Sequence, residues 1–342
     1  MSRASTALPA FALTEANALS VARICQQLDG IPLAIELAAA RVRVLAVEQI
    51  AARLDTCLGL LTAGGRTALP RHQTMRAAID WSYALLTEQE RRLFRRLSVF
   101  AGTFGLEAAE AVAAGGRSDE RTLPQELLDL LSRLIDKSLV VSLEREGEVR
   151  YRLLEPIRQY GWEQLAAADE AEEVYTRHRD WYLTLARRTE PLLRGREQLA
   201  WLRRLETEHD NLRAALKWCL SRQESAAVGL ELAQALWWFW ILRSYFSEGR
   251  RWLDDLRSSL ADSASLSPGG KKAARLLHAT TLYQSGALAW VQGDLSAART
   301  LTASSVTESR ALGDKRTLAY ALMFQGLATD AAGDHQSACA LE

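Results

Sequence analysis

The sequence predicts a mainly α protein in three parts: a helical domain, a winged helix with one small β-hairpin, and an α-solenoid. Three observations carry this. Seven prolines in 342 residues is about 2 per cent against a usual ~5 per cent, so helices can run long without interruption. Apolar residues recur at helical spacing over most of the chain, and the period changes to short β-prone runs only between Ser138 and Leu153. The C-terminal part repeats itself at an offset of 40 residues: Leu282, Gly286, Gly293, Asp294 and Ala298 return as Leu322, Gly326, Gly333, Asp334 and Ala338.

Residues 1–66 form the first part. Ala18, Val21, Cys25 and Leu28 share one face of a helix that stops at Gly30. Pro32 opens the next helix, where a missing N–H costs nothing and φ is already fixed near its helical value, and Leu33, Leu37 and Ala40 continue the apolar face. A third helix covers Val47 to Leu54, and Gly64-Gly65 marks a linker.

Residues 67–168 form the second part. Its helices are Thr74 to Leu86, Glu88 to Leu97, Leu106 to Ala113 and Gln125 to Lys137, the second opened by Thr87 with Glu90 in a capping box. The runs Ser138–Leu143 and Val149–Leu153 flank a turn over Glu144–Glu148. Helices followed by a hairpin make a winged-helix pattern. Residues 169–342 read as helices only, and a repeat of this length with small residues and a Gly-Asp turn fits a solenoid of helix pairs. Tyr245 to Trp252 is a weaker earlier copy, and Ala261 to Lys272, rich in Ser, Pro and Gly, reads as a long exposed loop. Glu342 falls just inside the second helix of the last repeat, so further protein is expected beyond it.

Composition narrows the function. Lys plus Arg equals Asp plus Glu at 42 each, so no global field draws the chain to nucleic acid or anionic lipid. Cys25, Cys57, Cys219 and Cys339 are far apart and read as buried thiols in a reducing cytosol. No signal peptide is evident, and the longest apolar run, Leu232 to Leu242, is too short for a bilayer span. The expectation is a cytoplasmic protein with no membrane contact. No phosphate loop, zinc-protease or nucleophile-elbow motif occurs, Gly269-Gly270-Lys271-Lys272 reading as a linker, so no enzyme is expected. Glu208-His209-Asp210 is the one tight titratable cluster, and such triplets usually lie on a solvated helix face.

The helix before the hairpin offers Gln125, Glu126, Asp129, Arg133, Asp136 and Lys137, and the wing adds Glu144, Glu146 and Glu148. Phosphates repel such an acidic surface, so no direct nucleic-acid binding is expected from this chain. Arg91, Arg92, Arg95 and Arg96 read as a solvated face opposite Leu93, Phe94 and Leu97. Trp237, Trp238, Phe239 and Trp240 surround one helix. They fit a buried core, and the alternative is a concave face on which Trp237 and Trp240 meet a protein partner or small effector.

Five stretches together resemble a known family. They are Leu28 to Arg41 with its Gly30-x-Pro32 turn, Arg71 to Tyr83 with Tyr151 to Tyr160, and Glu206 to Leu216 with Gly249 to Leu253. The resemblance is to bacterial STAND-type, NB-ARC-like signal-transduction ATPases found in LuxR-like and AfsR-like transcriptional regulators. It implies a switch in which a nucleotide-binding domain precedes a helical domain, a winged helix and a tetratricopeptide-like sensor. This chain would begin at the second part, with no cofactor of its own and ATP or ADP expected only alongside the upstream domain. The resemblance places a nucleotide contact on Gly30 and Pro32. It sets Leu153-Leu154-Glu155 where many relatives carry Met-His-Asp, leaving Glu155 as the contacting side chain. The expected role is regulatory, relaying nucleotide state and sensing an effector or partner through the solenoid; the alternatives are DNA binding by the winged helix and a stand-alone solenoid scaffold.

Overall fold

The computed structural model describes residues 8, 11–27, 35, 38–39, 42, 45–54, 75–84, 86–113, 124–137, 139–145, 147–261 and 268–340. Gly30, Pro32, Cys57 and the Gly64-Gly65 linker lie outside them. The chain is mainly α, and it separates into two compact units, Met1–Arg177 and His178–Glu342.

In the first unit, α1 (Glu15–Gln27) packs on α2 (Val47–Leu54), burying Ile24 on one and Val47, Ile50 and Ala51 on the other. Helix α3 (Met75–Ala84) leads to α4 (Glu88–Leu97), α5 (Leu106–Ala113), α6 (Pro124–Asp136), strands β1 (Val141–Arg145) and β2 (Glu148–Arg152), and α7 (Glu155–Ala167). Helix α4 starts where the capping box requires: the Thr87 hydroxyl accepts from the Glu90 amide, and the Glu90 carboxylate accepts from the Thr87 amide at 2.7 Å. The strands pair antiparallel with Arg145 opposite Glu148, so two residues close the hairpin and Gly147 supplies φ +81°. The turn is therefore shorter than the five residues read from the sequence, because Glu144, Arg145 and Glu148 extend the ladder. Phe104 exchanges both backbone hydrogen bonds with Tyr151, at 2.8 and 2.9 Å, adding a third short edge. Beneath it Phe100 and Phe104 stack at 4.2 Å among Leu97, Val112, Leu131 and Leu134, all under 2 % exposed.

Helix α8 (Ala171–Thr189) contains the division between the units, at Arg177/His178, beyond the 168/169 boundary read from sequence. A 3-10 turn (Glu190–Arg194) follows, then α9 (Gln198–Thr207), α10 (His209–Leu220), a second 3-10 turn (Gln223–Ser225), α11 (Ala226–Leu242), α12 (Phe246–Ala261), α13 (Pro268–Val291), α14 (Leu295–Leu312), α15 (Lys315–Ala331) and α16 (His335–Cys339). Pro268 to Lys272, read as loop, begins α13 instead, since proline is well placed at a helix start. The last three helix junctions are one turn used three times. Gly293, Gly313 and Gly333 take φ of +79°, +70° and +86°, and each is followed by an aspartate. Asp294, Asp314 and Asp334 then accept from the amides of Ala297, Thr317 and Ser337. Glycine ends one helix and aspartate starts the next, 20 residues apart.

Close approach also fixes glycines inside the helices. A Cβ on Gly249 of α12 would lie 2.6 Å from the buried Trp240 ring of α11. Glu208-His209-Asp210 splits: Glu208 is buried and accepts from the Tyr182 hydroxyl at 2.9 Å, while His209 lies edge-on to Phe239 and only Asp210 is exposed. The cysteines are not uniformly buried. Cys219 is, and burial pushes its thiol up to about 12, whereas Cys25 is half-buried and Cys339 exposed. The helical stretch Gln223–Leu242, 20 residues with mean hydropathy 1.3, meets the length and polarity of a bilayer span, contrary to the sequence reading, but 61 % of its apolar window is buried inside the unit. Core packing accounts for its apolarity.

Two predictions follow from this packing. Gly249→Ala must push against a rigid indole, so it should cost about 2 kcal/mol in urea unfolding, where an exposed helical glycine would gain from the same change. His178 is fully buried, and desolvation drives its ring from 6.5 down to about 3. The unfolded chain therefore binds its proton first, and this contribution to stability declines as pH falls from about 6.5 towards 3, by up to ~1.4 kcal/mol per pH unit. Protection factors of the amides in α10 and α11, corrected for the intrinsic exchange rate at each pH, should fall over that window, and His178→Gln should flatten the response.

Candidate nucleic-acid interface

The exposed surface of the winged helix is set by what its charges do inside. In α4 the arginine cluster is not a solvated face. Arg96 is 3 % exposed, donating to Glu170 at 2.7 Å and to the Ala113 carbonyl at 2.8 Å. Arg95 donates to Glu170 at 2.8 Å and to Glu88 at 3.1 Å, and Arg91 to the carbonyls of Tyr83 and Ala84 over the Tyr83 ring. Burial alone would raise the Glu170 carboxyl, and the hydrogen bonds from Arg96 and Arg95 outweigh it, holding it below the ordinary carboxylate range.

At the other side of the same helix, buried Glu90 receives both bonds of the Lys137 ammonium at 2.8 Å while it caps α4. Lys137 follows directly on α6, so this pair pins the end of the helix that precedes the hairpin. Leu127, Leu130, Leu131 and Leu134 bury the inner face of α6. Its outer face presents Gln125, Glu126, Leu128, Asp129, Ser132, Arg133 and Asp136. In the hairpin Glu144, Arg145 and Glu148 are exposed, while Arg150 turns inward to the Thr103 hydroxyl and carbonyl. Arg133 and Arg145 are thus the outward cations of α6 and the hairpin among the described residues. The sequence counted Lys137 with them and could not show its commitment to Glu90.

The remaining expected sites are dispersed. Gly30 and Pro32 lie outside the described residues. Glu155 opens α7, where its carboxylate accepts from Arg158 at 2.7 and 2.5 Å. Trp237 and Trp240 are each 1 % exposed, and the Trp237 Nε1 donates to the Gln284 carbonyl at 3.1 Å. Both rings sit in the core of the second unit and offer no open face to a partner. Trp238 between them, which sequence periodicity did not distinguish, is the half-buried one.

Residues 86–166 match a winged helix-turn-helix domain. Over 97 % of its length the chain is 42 % identical to the Mycobacterium tuberculosis (strain ATCC 25618 / H37Rv) protein named "Putative HTH-type transcriptional regulator Rv0890c", covering 41 % of that protein. The Mycobacterium bovis protein of the same description, Mb0914c, matches to the same extent. The chain spans about two-fifths of the length of these curated relatives. Among solved structures, a STAND protein with a tetratricopeptide repeat sensor from Pyrococcus horikoshii aligns with 90 % of this chain and 59 % of its own, at 14 % identity and a TM-score of 0.24, too low to carry an argument. The expectation of no direct nucleic-acid binding is overturned by the helix-turn-helix match and by the regulators it resembles. Counting acidic side chains on α6 weighed net charge alone, whereas such domains also use helix N-termini, backbone amides and single well-placed arginines.

Because Glu90 joins the cap of α4 to the end of α6, its substitution should act on both. Glu90→Ala should cost about 2 kcal/mol, chiefly from the lost cap because the exposed Lys137 returns to water, and Glu90→Gln about 1, retaining the cap bond. Denaturation of the two variants followed by circular dichroism measures the difference.

Proposed function

We propose that this chain is the regulatory portion of a transcriptional regulator, acting by binding rather than by catalysis, and that its winged helix contacts duplex DNA. The match of residues 86–166 to a winged helix-turn-helix domain carries this reading. In it, α6 faces the major groove, with Gln125 and Arg133 as the side chains able to donate to bases or phosphates, and Arg145 in the hairpin meets the adjacent backbone. The acidic neighbours Glu126, Asp129 and Asp136 keep the contact weak and discourage unselective binding.

A second reading extends the first through the STAND resemblance. The helical domain relays the state of ATP or ADP when joined to a nucleotide-binding domain, through Gly30, Pro32 and Glu155, and the repeat unit senses an effector. The repeated helix pairs of the second unit support the sensor role. Titration calorimetry with ADP should then give heat only when that domain is supplied.

The DNA reading predicts a shallow salt dependence. Two arginine–phosphate contacts at ~0.9 counterions each give a slope of about −2 in log affinity against log salt, with a dissociation constant of about 10⁻⁶ M or weaker at physiological salt. Fluorescence anisotropy on a mixed-sequence duplex measures both. Arg133→Ala should weaken binding roughly fivefold and Asp129→Asn should strengthen it. No binding at low salt by the folded chain would refute the reading.

A further inference from the structure

The 3-10 turn Glu190–Arg194 lies against α11. Helices α11, α13 and α15 form adjacent members of one layer of the second unit, and they contribute Trp238, Tyr283 and Tyr320. Tyr283 and Tyr320 stack with centres 5.5 Å apart and planes 9° from parallel. Arg194 projects onto this aromatic row. Its guanidinium carbon is 4.9 Å from the Trp238 ring centre and 5.9 Å from that of Tyr320, and its Nη1 donates to the Tyr320 hydroxyl at 2.9 Å. Its Nη2 lies 3.4 Å from the Glu190 carboxylate, which is 3.8 Å from Arg316 of α15.

These partners are 126 residues apart in sequence, so one side chain ties the entry of the repeat unit to its last long helix. Two aromatic rings from different helices, a phenol and a carboxylate around one planar cation are the chemistry that selects guanidinium over ammonium. The Arg194 side chain is nonetheless 38 % exposed, so the position is open to competition from solution.

We propose that Trp238 and Tyr320 form a guanidinium slot which Arg194 fills in cis, and that an arginine of a partner polypeptide takes its place, releasing Arg194 from α15. The resident arginine is the argument for the class of occupant. None of these residues belongs to the winged helix, so the inference stands apart from the DNA reading.

The test uses the full chain and an acetylated, amidated pentapeptide copying the turn, Glu-Pro-Leu-Leu-Arg, with a lysine-ended version as control. Arg194→Ala vacates the slot and should bind the arginine peptide about tenfold tighter than the unaltered chain, the Trp238 indole N–H signal shifting on titration. The lysine peptide should bind about tenfold more weakly, and adding Trp238→Leu should abolish binding. Amide exchange in Lys315–Ala331 should rise about two- to fivefold in both Arg194→Ala and the milder Arg194→Lys. Equal peptide affinity for the variant and the unaltered chain, equal affinity for the two peptides, or indifference to Trp238→Leu would each overturn the proposal.

Discussion

Two carboxylates hold the winged helix together: half-buried Glu170 neutralises the arginines of α4, and buried Glu90 pairs with Lys137 at its rim. Glu170 takes Arg95 and Arg96 from one side of α4, and Glu90 takes Lys137 from the other while capping the same helix. Each pair joins segments distant in sequence, 74 and 75 residues for the arginines and 47 for the lysine. Removing Glu170 strands the buried Arg96 guanidinium in low dielectric, which costs more than the pair gains by forming. The domain therefore depends on these bridges for its geometry more than for net stability. They also decide the surface, because every cation committed inward is one that DNA cannot use.

The second unit repeats one local turn, beside ion pairs that also cross between its helices, such as Arg213 with Glu248 at 2.6 Å and Arg250 with Asp294 at 3.0 Å. Glycine at +79°, +70° and +86° ends a helix where any Cβ would be strained, and the next residue, aspartate, satisfies an amide of the following helix. With the turns fixed locally, the helices are left to settle their spacing through small residues. Gly286 shows this: a Cβ there would lie 2.8 Å from Thr302 of the neighbouring helix. Polar groups buried between the helices are absorbed by the same layers, Ser305 donating to the Ala279 carbonyl at 2.7 Å and Gln234 to Leu277 and Thr281.

Local signals in the sequence were legible because they act over a few residues. Thr87 and Glu90 placed α4 to the residue, Val47 to Leu54 emerged as α2, and the hairpin followed from β-prone runs. What periodicity could not show was where a side chain finds its partner. Arg95 and Arg96 sit on a helix whose pattern reads as amphipathic, and only folding brings Glu170 to them. Glu208 and His209 look like a surface triplet until Tyr182 and Phe239 close over them. The 40-residue repeat was visible, yet its 20-residue half was missed because Gly313-Asp314 falls between helices whose packing residues differ. Within the Trp237–Trp240 cluster, sequence supplied four aromatic residues but not the rotation that buries three and leaves Trp238 at the edge.

The charge distribution also constrains how a DNA-contacting reading could work in a cell. With Arg133 and Arg145 as the outward cations of α6 and the hairpin among the described residues, that surface would gain little from counterion release, and a site held by so few phosphates competes poorly with a genome of non-specific sequence. Such a contact becomes effective when another part of the assembly holds the protein near its site. Tethering then replaces bulk concentration with a local one, and gains of 10²- to 10⁴-fold need no new contact on α6. On that view the acidic residues of α6 are compatible with regulation: a weak interface responds steeply to whatever presents or withdraws it, whereas a strongly basic helix would remain bound in both states.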